Sequence, residues 1–383
     1  MLLILCIIYN YLIVSNMYTQ YYSNSKHNSF IDAAPAVNGE LAWKLELPSQ
    51  TGKETANRLI LSDGEQYYVD ALTEIICLDN NGKELWRKQK WYGSPIVYNN
   101  GLIYYQSSER KDDMEAVDTN NNLVISKYPI QGVIEESYLV LFQPNKKELI
   151  AQVQYADLPE VSIPEFTLFK SDENSLGYVW HKRFNNEINS AIPLINFEQK
   201  FILTFTQTQG HIFHLNGKKD SVEPDYSFDM PEDKDALFAS SSNKGEIFIA
   251  WSKGNKISLL CLNNKAEEIY KIEFENEFVG SEPLVHPPIV TNDGYVFVLT
   301  GNKIFCVNQE KVIWQKAIAN AEYATAFADN SVVVAAGDKI VYLDSSGEEK
   351  FVHETEEKIT APIILNQNGG FLFCTKNNVY SLD

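Results

Sequence analysis

A short pattern recurs along this chain at a nearly fixed interval, and a chain made of repeats folds as stacked copies of one unit. Ile75-Ile-Cys-Leu-Asp-Asn-Asn-Gly-Lys-Glu-Leu-Trp86 and Ile340-Val-Tyr-Leu-Asp-Ser-Ser-Gly-Glu-Glu-Lys-Phe351 share one grammar. An apolar run leads into Asp-x-x-Gly, and an aromatic follows four residues after the glycine. Leu259 to Tyr270 keeps the spacing with Ala266 in the glycine place, and Ile304 to Trp314 is one residue shorter. Aspartate or asparagine opens a tight turn by bonding its side chain to backbone two residues on. Glycine then accepts a left-handed conformation that other residues resist. Asp79 with Gly82, and Asp344 with Gly347, are therefore read as hairpin turns between antiparallel strands.

A second strand pair precedes each of these hairpins. Pro95-Ile-Val-Tyr turns at Gly101 into Leu102-Ile-Tyr-Tyr, Pro288-Ile-Val turns at Gly294, and Pro362-Ile-Ile-Leu turns at Gly369-Gly370. The unit is thus a four-stranded meander of about 40 residues, the size of one β-propeller blade. Anchor aromatics fall at Trp43, Trp86, a degenerate site near Ile125, Trp180, Tyr226 or Phe228, Tyr270, Trp314 and Phe351. That spacing predicts an all-β, closed, eight-bladed propeller over residues 37–383. A seven-bladed ring, with the weak unit at 91–130 misread, is the alternative. The widest step, from Ile125 to Trp180, reads as carrying an insertion around residues 156–164.

The two ends of the repeat fit each other. The chain stops at Asp383, and the missing x-x-Gly-x-x-x-Trp occurs as Val37-Asn-Gly39-Glu-Leu-Ala-Trp43. The N-terminal strand is therefore expected to complete the last blade, removing an exposed edge.

The Asp-x-x-Gly-x-x-x-Trp signature resembles the pyrroloquinoline-quinone-like (PQQ-like) propeller repeat. The resemblance covers residues 37–383, with Trp copies at Trp43, Trp86, Trp180 and Trp314. It implies that these tryptophans dock neighbouring blades and that Gly39, Asp79, Gly82, Asp344 and Gly347 make the blade turns. The family holds quinone-dependent dehydrogenases and smaller non-catalytic propellers. Among the latter is the propeller lipoprotein of the bacterial outer-membrane barrel-assembly complex, which this chain is similar to in size and expected blade number. The enzymes stack the quinone on a disulfide between adjacent cysteines, and this sequence has no Cys-Cys pair. No carboxylate-Asn set for Ca²⁺ can be assigned by motif either. No catalytic, cofactor-binding or metal residue is therefore singled out, and no cofactor is expected.

The remaining chemistry-bearing residues read as structural. Cys77, Cys261 and Cys306 each sit two residues before the turn Asp or Asn, as small buried hydrophobes do. His211 and His214 are three apart on a strand pattern and so point to opposite faces, which does not suit one metal ion. Asp112-Asp113, Glu356-Glu357, Lys218-Lys219-Asp220 and residues 232–235 read as charged loops. With 32 basic against 51 acidic residues, the net charge of −19 excludes phosphate backbones as partners.

Met1 to Val14 is nearly all apolar and reads as a signal or anchor segment, too short to span a bilayer comfortably. Leu5 is too bulky to precede a lipidated Cys6. Residues 15–36 read as a polar tether. The expectation is an exported, periplasmic or cell-envelope-associated, monomeric propeller. It would touch the membrane only through its N-terminal segment and bind protein or peptide as a non-enzymatic scaffold, with envelope protein assembly as its setting. Loops at 107–113 and 156–164 are candidate contacts. The alternatives are a quinone-dependent dehydrogenase and a propeller that senses a small molecule.

Overall fold

The computed structural model describes residues 29–48, 60–92, 96–99, 101–109, 113–129, 138–142, 148–158, 161–172, 175–183, 194–196, 201–206, 208–214, 224–276 and 284–383. Every regular element among them is a strand, and the strands fall into eight sheets, seven four-stranded and one five-stranded. The first sheet shows the unit: Ile60–Ser62, Tyr67–Asp70, Glu74–Leu78 and Glu84–Gln89, each antiparallel to the next. Six further sheets follow as meanders, beginning at Val97, Tyr138, Leu194, Ala236, Ile289 and Ala321. The apolar segment at 1–14, the tether before residue 29, His27 and Lys218-Lys219-Asp220 lie outside the described residues.

In the first, fifth, sixth and seventh sheets, the second and third strands are buried and the fourth alternates. Ile75 to Leu78 is solvent-free throughout, whereas Glu84 to Gln89 runs exposed and half-buried by turns. A strand covered on both faces carries a continuous apolar run, and one covered on a single face carries every second residue. Between strands three and four, Asp79 Oδ1 accepts the N–H groups of Asn81 and Lys83, both at 2.9 Å. Asp344 does the same for Ser346 and Glu348 at 2.9 and 3.0 Å. Gly82 and Gly347 close these turns at φ 76° and 80°. Ala266, in the equivalent place, is held at φ 64° by the same asparagine-headed turn.

The fourth strand has a feature the repeat pattern does not reveal. In seven sheets it carries a one-residue β-bulge just before the anchor position. Cys77 pairs with Trp86 and Leu78 with Glu84, so Leu85 has no partner. Ala42, Ile125, Val179, Ile269, Ile313 and Lys350 are skipped in the same way. A bulge re-aims the next side chain and twists an edge away from other chains. In the second sheet the anchor position is thereby Ser126, immediately after Ile125. The fourth sheet pairs without a register shift.

Two sheets recruit the N-terminal segment. In the eighth sheet, Ile364–Leu365, Phe371–Cys374 and Asn378–Leu382 are joined by Leu41–Glu46, with Leu41 opposite Leu382 and Glu46 opposite Asn378. The N–H groups of Asn38 and Gly39 converge on the Asp383 carbonyl at 2.8 and 2.9 Å. In the seventh sheet, Phe30–Ile31 adds a fifth strand, parallel to Ala321–Phe327, on the edge away from the exposed fourth strand.

The residues expected to form an inserted loop at 156–164 instead lengthen a hairpin. Glu148–Leu158 and Val161–Asp172 stay in register from Glu148 opposite Ser171 to Leu158 opposite Val161. Val161-Ser-Ile163 is β-branched and alternating, which suits a strand better than a loop.

Candidate functional site

The geometry concentrates where one sheet meets the next. Trp43, on the fourth strand of the eighth sheet, donates its indole N–H to the Asn80 carbonyl of the first sheet at 3.2 Å. Its ring lies on Gly82, where a Cβ would come within 2.5 Å of it. Trp86 of the first sheet donates to Thr119 O of the second at 3.0 Å. Trp314 of the sixth donates to Ser345 O of the seventh at 2.9 Å and covers Gly347. Phe351 of the seventh lies against Gly39, 3.1 Å from a Cβ built there. Each aromatic thus seals the turn of the following sheet, and the eighth sheet packs on the first. Apolar side chains from sheets eight, one and two share one core cluster, among them Leu372, Val379, Ile76 and Val117. Trp180 lies on the strand Ser175–Arg183 of the third sheet, and its side chain is outside the described residues.

The titratable groups are mostly tied into this framework. Burial pushes the Cys261 and Cys306 thiols up to about 12 and raises Cys77 further, so all three stay protonated. Burial lowers His286 to about 4. Its Nδ1 lies 2.7 Å from the Pro287 carbonyl and Nε2 lies 3.4 Å from the Ser29 hydroxyl. Nδ1 therefore carries the proton and Nε2 accepts. His211 contacts Ser227 through Nδ1 at 2.9 Å, while His214 faces Asp225, so the two imidazoles do not converge. Among the described residues, no three His, Cys, Asp or Glu side chains gather where a metal could be held.

Two charged clusters lie beyond what the sequence pattern suggests. Under the start of the 107–113 loop, the buried Lys90 ammonium sits 3.1 Å from Asp70. Beside it, Glu115 accepts from Tyr105 at 2.6 Å and Ser107 at 2.9 Å. At the junction of sheets seven and eight, Glu357 accepts from Thr375 Oγ1 at 2.7 Å and from the Asn377 N–H at 3.1 Å. Burial alone would raise this carboxyl, but those hydrogen bonds, with others from Asn377 and Asn378, hold it below the ordinary value. The acidic pair Glu356-Glu357 is therefore split: Glu357 staples a turn, and Glu356 sits in water, 3.5 Å from Lys44.

A groove of about 340 Å³ opens beside the fifth sheet, over Trp251. Its three lysines are matched by carboxylates: Lys253 by Asp233 at 2.9 Å, Lys271 by Glu273 at 3.0 Å, and Lys256 by Glu273. The lining holds three ammonium groups and three carboxylates, Glu232, Asp233 and Glu273, so its formal charges balance.

No protein-family model matches the sequence, and no curated protein matches it. Solved structures of similar shape include a protein of unknown function from Bacteroides caccae, at TM-score 0.37 and 12% identity, covering 69% of this chain and 79% of that one. Another is Hsv2 from Kluyvelomyces marxianus, at TM-score 0.47 and 11% identity, covering 77% of this chain and 95% of that one.

Proposed function

We propose that this chain is a closed eight-bladed β-propeller of the PQQ-like type that works as a non-enzymatic, extracytoplasmic scaffold for protein or peptide partners. Eight sheets of one meander support the blade count, and the contact of Trp43 with the turn at Asn80–Gly82 supports closure between the last blade and the first. In this reading Trp43, Trp86, Trp180 and Trp314 dock the blades, and the loops on the disc faces vary freely on a rigid core. The apolar stretch at 1–14 supports export.

One observation carries the choice between scaffold and enzyme. The first strand of each blade lines the axis of such a ring, and on the seventh blade that edge is already taken by Phe30–Ile31. In such a ring this segment would stand toward the centre, where the resembled enzymes hold their quinone, and that supports the scaffold reading over the enzyme one. Titration with pyrroloquinoline quinone and Ca²⁺, followed by absorbance, tests this directly. No spectral change at millimolar quinone is expected, and saturable binding would return the enzyme reading. The scaffold itself is tested by affinity capture from native envelopes, where a reproducible partner is expected and a turnover without any partner would sink it.

A further inference from the structure

We propose that the inner edge of the seventh sheet is a binding site for an extended peptide and that residues 29–33 fill it in cis. Every other pairing within the eight sheets joins antiparallel neighbours, and each of the other seven sheets is complete with four strands. Phe30–Ile31 is an added strand, parallel to Ala321–Phe327 and only two residue pairs long. The Ala326 N–H donates to Ser29 O at 3.0 Å and the Ala328 N–H to Ala33 O at 3.1 Å. This is the geometry by which a sheet edge takes up a peptide, with main-chain bonds for affinity and side-chain pockets for selection.

The pockets are present. Ile31 is 4% exposed and packs with Tyr323, Phe327, Ile359 and Ile363. On its other side Phe30 meets the cluster of Ile289, Ala324 and Ala326. Ser29 is fully buried, with its hydroxyl toward His286 of the neighbouring sheet. Because the other imidazole nitrogen is committed to Pro287, His286 offers an acceptor at this point and selects a hydroxyl donor. The ligand chemistry is therefore an extended segment of hydroxyl residue, apolar, apolar, any residue, small residue. A two-pair ladder is a short hold, so a partner segment of this pattern can exchange with the resident one.

The partner rests on the scaffold reading above, whereas the edge and its occupant do not. The first measurement uses the wild-type full chain and amide hydrogen exchange. The Ala326 and Ala328 amides are expected to exchange at least 100-fold faster than those of Val333 and Val334, because the plug detaches without unfolding the sheet. Equal protection overturns the proposal. The second measurement is fluorescence anisotropy with a labelled peptide of residues 26–36. Full-length Ile31→Asp is expected to bind it at least tenfold more tightly than wild type, and His286→Ala in that background to weaken binding again. A folded Ile31→Asp chain that gains no affinity also overturns the proposal, and if that variant does not fold, the exchange comparison decides alone. Peptide binding with an empty envelope capture keeps the edge site and removes the scaffold reading. A partner captured equally by wild type and Ile31→Asp keeps the scaffold reading and removes the edge site.

Discussion

The junction of sheets six and seven and the interior of sheet four both place an aromatic ring on a glycine, by different routes. Trp314 follows the bulge at Ile313, leaves its own sheet and lands on Gly347, which sits in a turn at φ 80°. Phe228 has no bulge before it and covers Gly210 directly opposite on the adjacent strand, within a core cluster shared by sheets four and five. A Cβ at Gly210 would come within 2.0 Å of that ring. One glycine is needed for both its backbone and its bareness, the other for its bareness alone. With the bulge the ring covers a glycine of the next sheet, and without it the ring covers a glycine of its own.

The comparison breaks most visibly where the junction is a strand rather than a ring. Deleting residues 37–48 removes Trp43, Leu45 and Leu47 from the core cluster. At about 1.5–3 kcal/mol for a fully buried side chain, and with Trp43 and Leu45 only half-buried, the loss is roughly 5 kcal/mol. A urea titration reads it, and an unchanged midpoint would refute the role of this strand in holding the eighth sheet.

Next comes a pair of double-mutant cycles. Gly347→Ala adds left-handed strain of about 1–2 kcal/mol to overpacking of about 1–3 kcal/mol. In a Trp314→Ala background only the strain should remain. Gly210→Ala carries the overpacking alone, so Phe228→Ala should remove its whole cost. If both cycles leave the same residue of destabilisation, the two contacts are not distinct in kind. Gly254, at φ 59° with nothing within 4 Å of a built Cβ, is the control, and its alanine variant should show the strain alone.

A third effect is set by pH. The Glu357 carboxyl titrates below its unfolded value, so its contribution is complete above about pH 4.5 and disappears as pH falls through the lower folded value. His286 is also lowered, to about 4, so the unfolded chain takes up a proton from about pH 6.5 downward before the folded one does. Stability is therefore expected to fall from pH 7 toward pH 4 through His286, with Glu357 adding its loss below that. Denaturation midpoints across this range in Glu357→Gln and His286→Phe should flatten the acid limb in two separate windows. A single shared window would count against these assignments.

The smallest effect belongs to the skipped residues themselves. Leu85 and Ile313 are 46% and 41% exposed, and their side chains contribute little to the core. Leu85→Lys and Ile313→Lys should change stability by no more than about 0.5 kcal/mol. A larger loss in chemical denaturation would mean that the rim is covered in solution.

Much of this architecture was legible because turn chemistry is local. Asp79, Gly82, Asp344 and Gly347 act within four residues, so their spacing reads as a hairpin without any knowledge of the rest. The apolar runs before them read as covered strands for the same reason. The bulge was not legible, since one unpaired residue changes neither the spacing to the tryptophan nor the hydrophobic pattern. The added strand at Phe30–Ile31 was hidden inside what reads as a polar tether, because two apolar residues make no period. Lys90, Asp70 and Glu115 gave no signal either, as single charges among apolar neighbours look like surface positions until the strands are stacked.

The sequence by itself determined the repeat, its turns, its anchor aromatics and the fit between Asp383 and the segment at Val37–Trp43. These follow from bonds between residues a few positions apart and from burial patterns along single strands. Only the tertiary structure decided which turn each aromatic seals, that Glu357 staples a turn while Glu356 is left in water, and that the first-strand edge of the seventh sheet is occupied. Those contacts join residues from 18 to 312 positions apart, such as Glu357 with Thr375 and Phe351 with Gly39. No local preference encodes such a contact, because it exists only once separate sheets have packed and the unpaired groups left at their edges find the nearest partner.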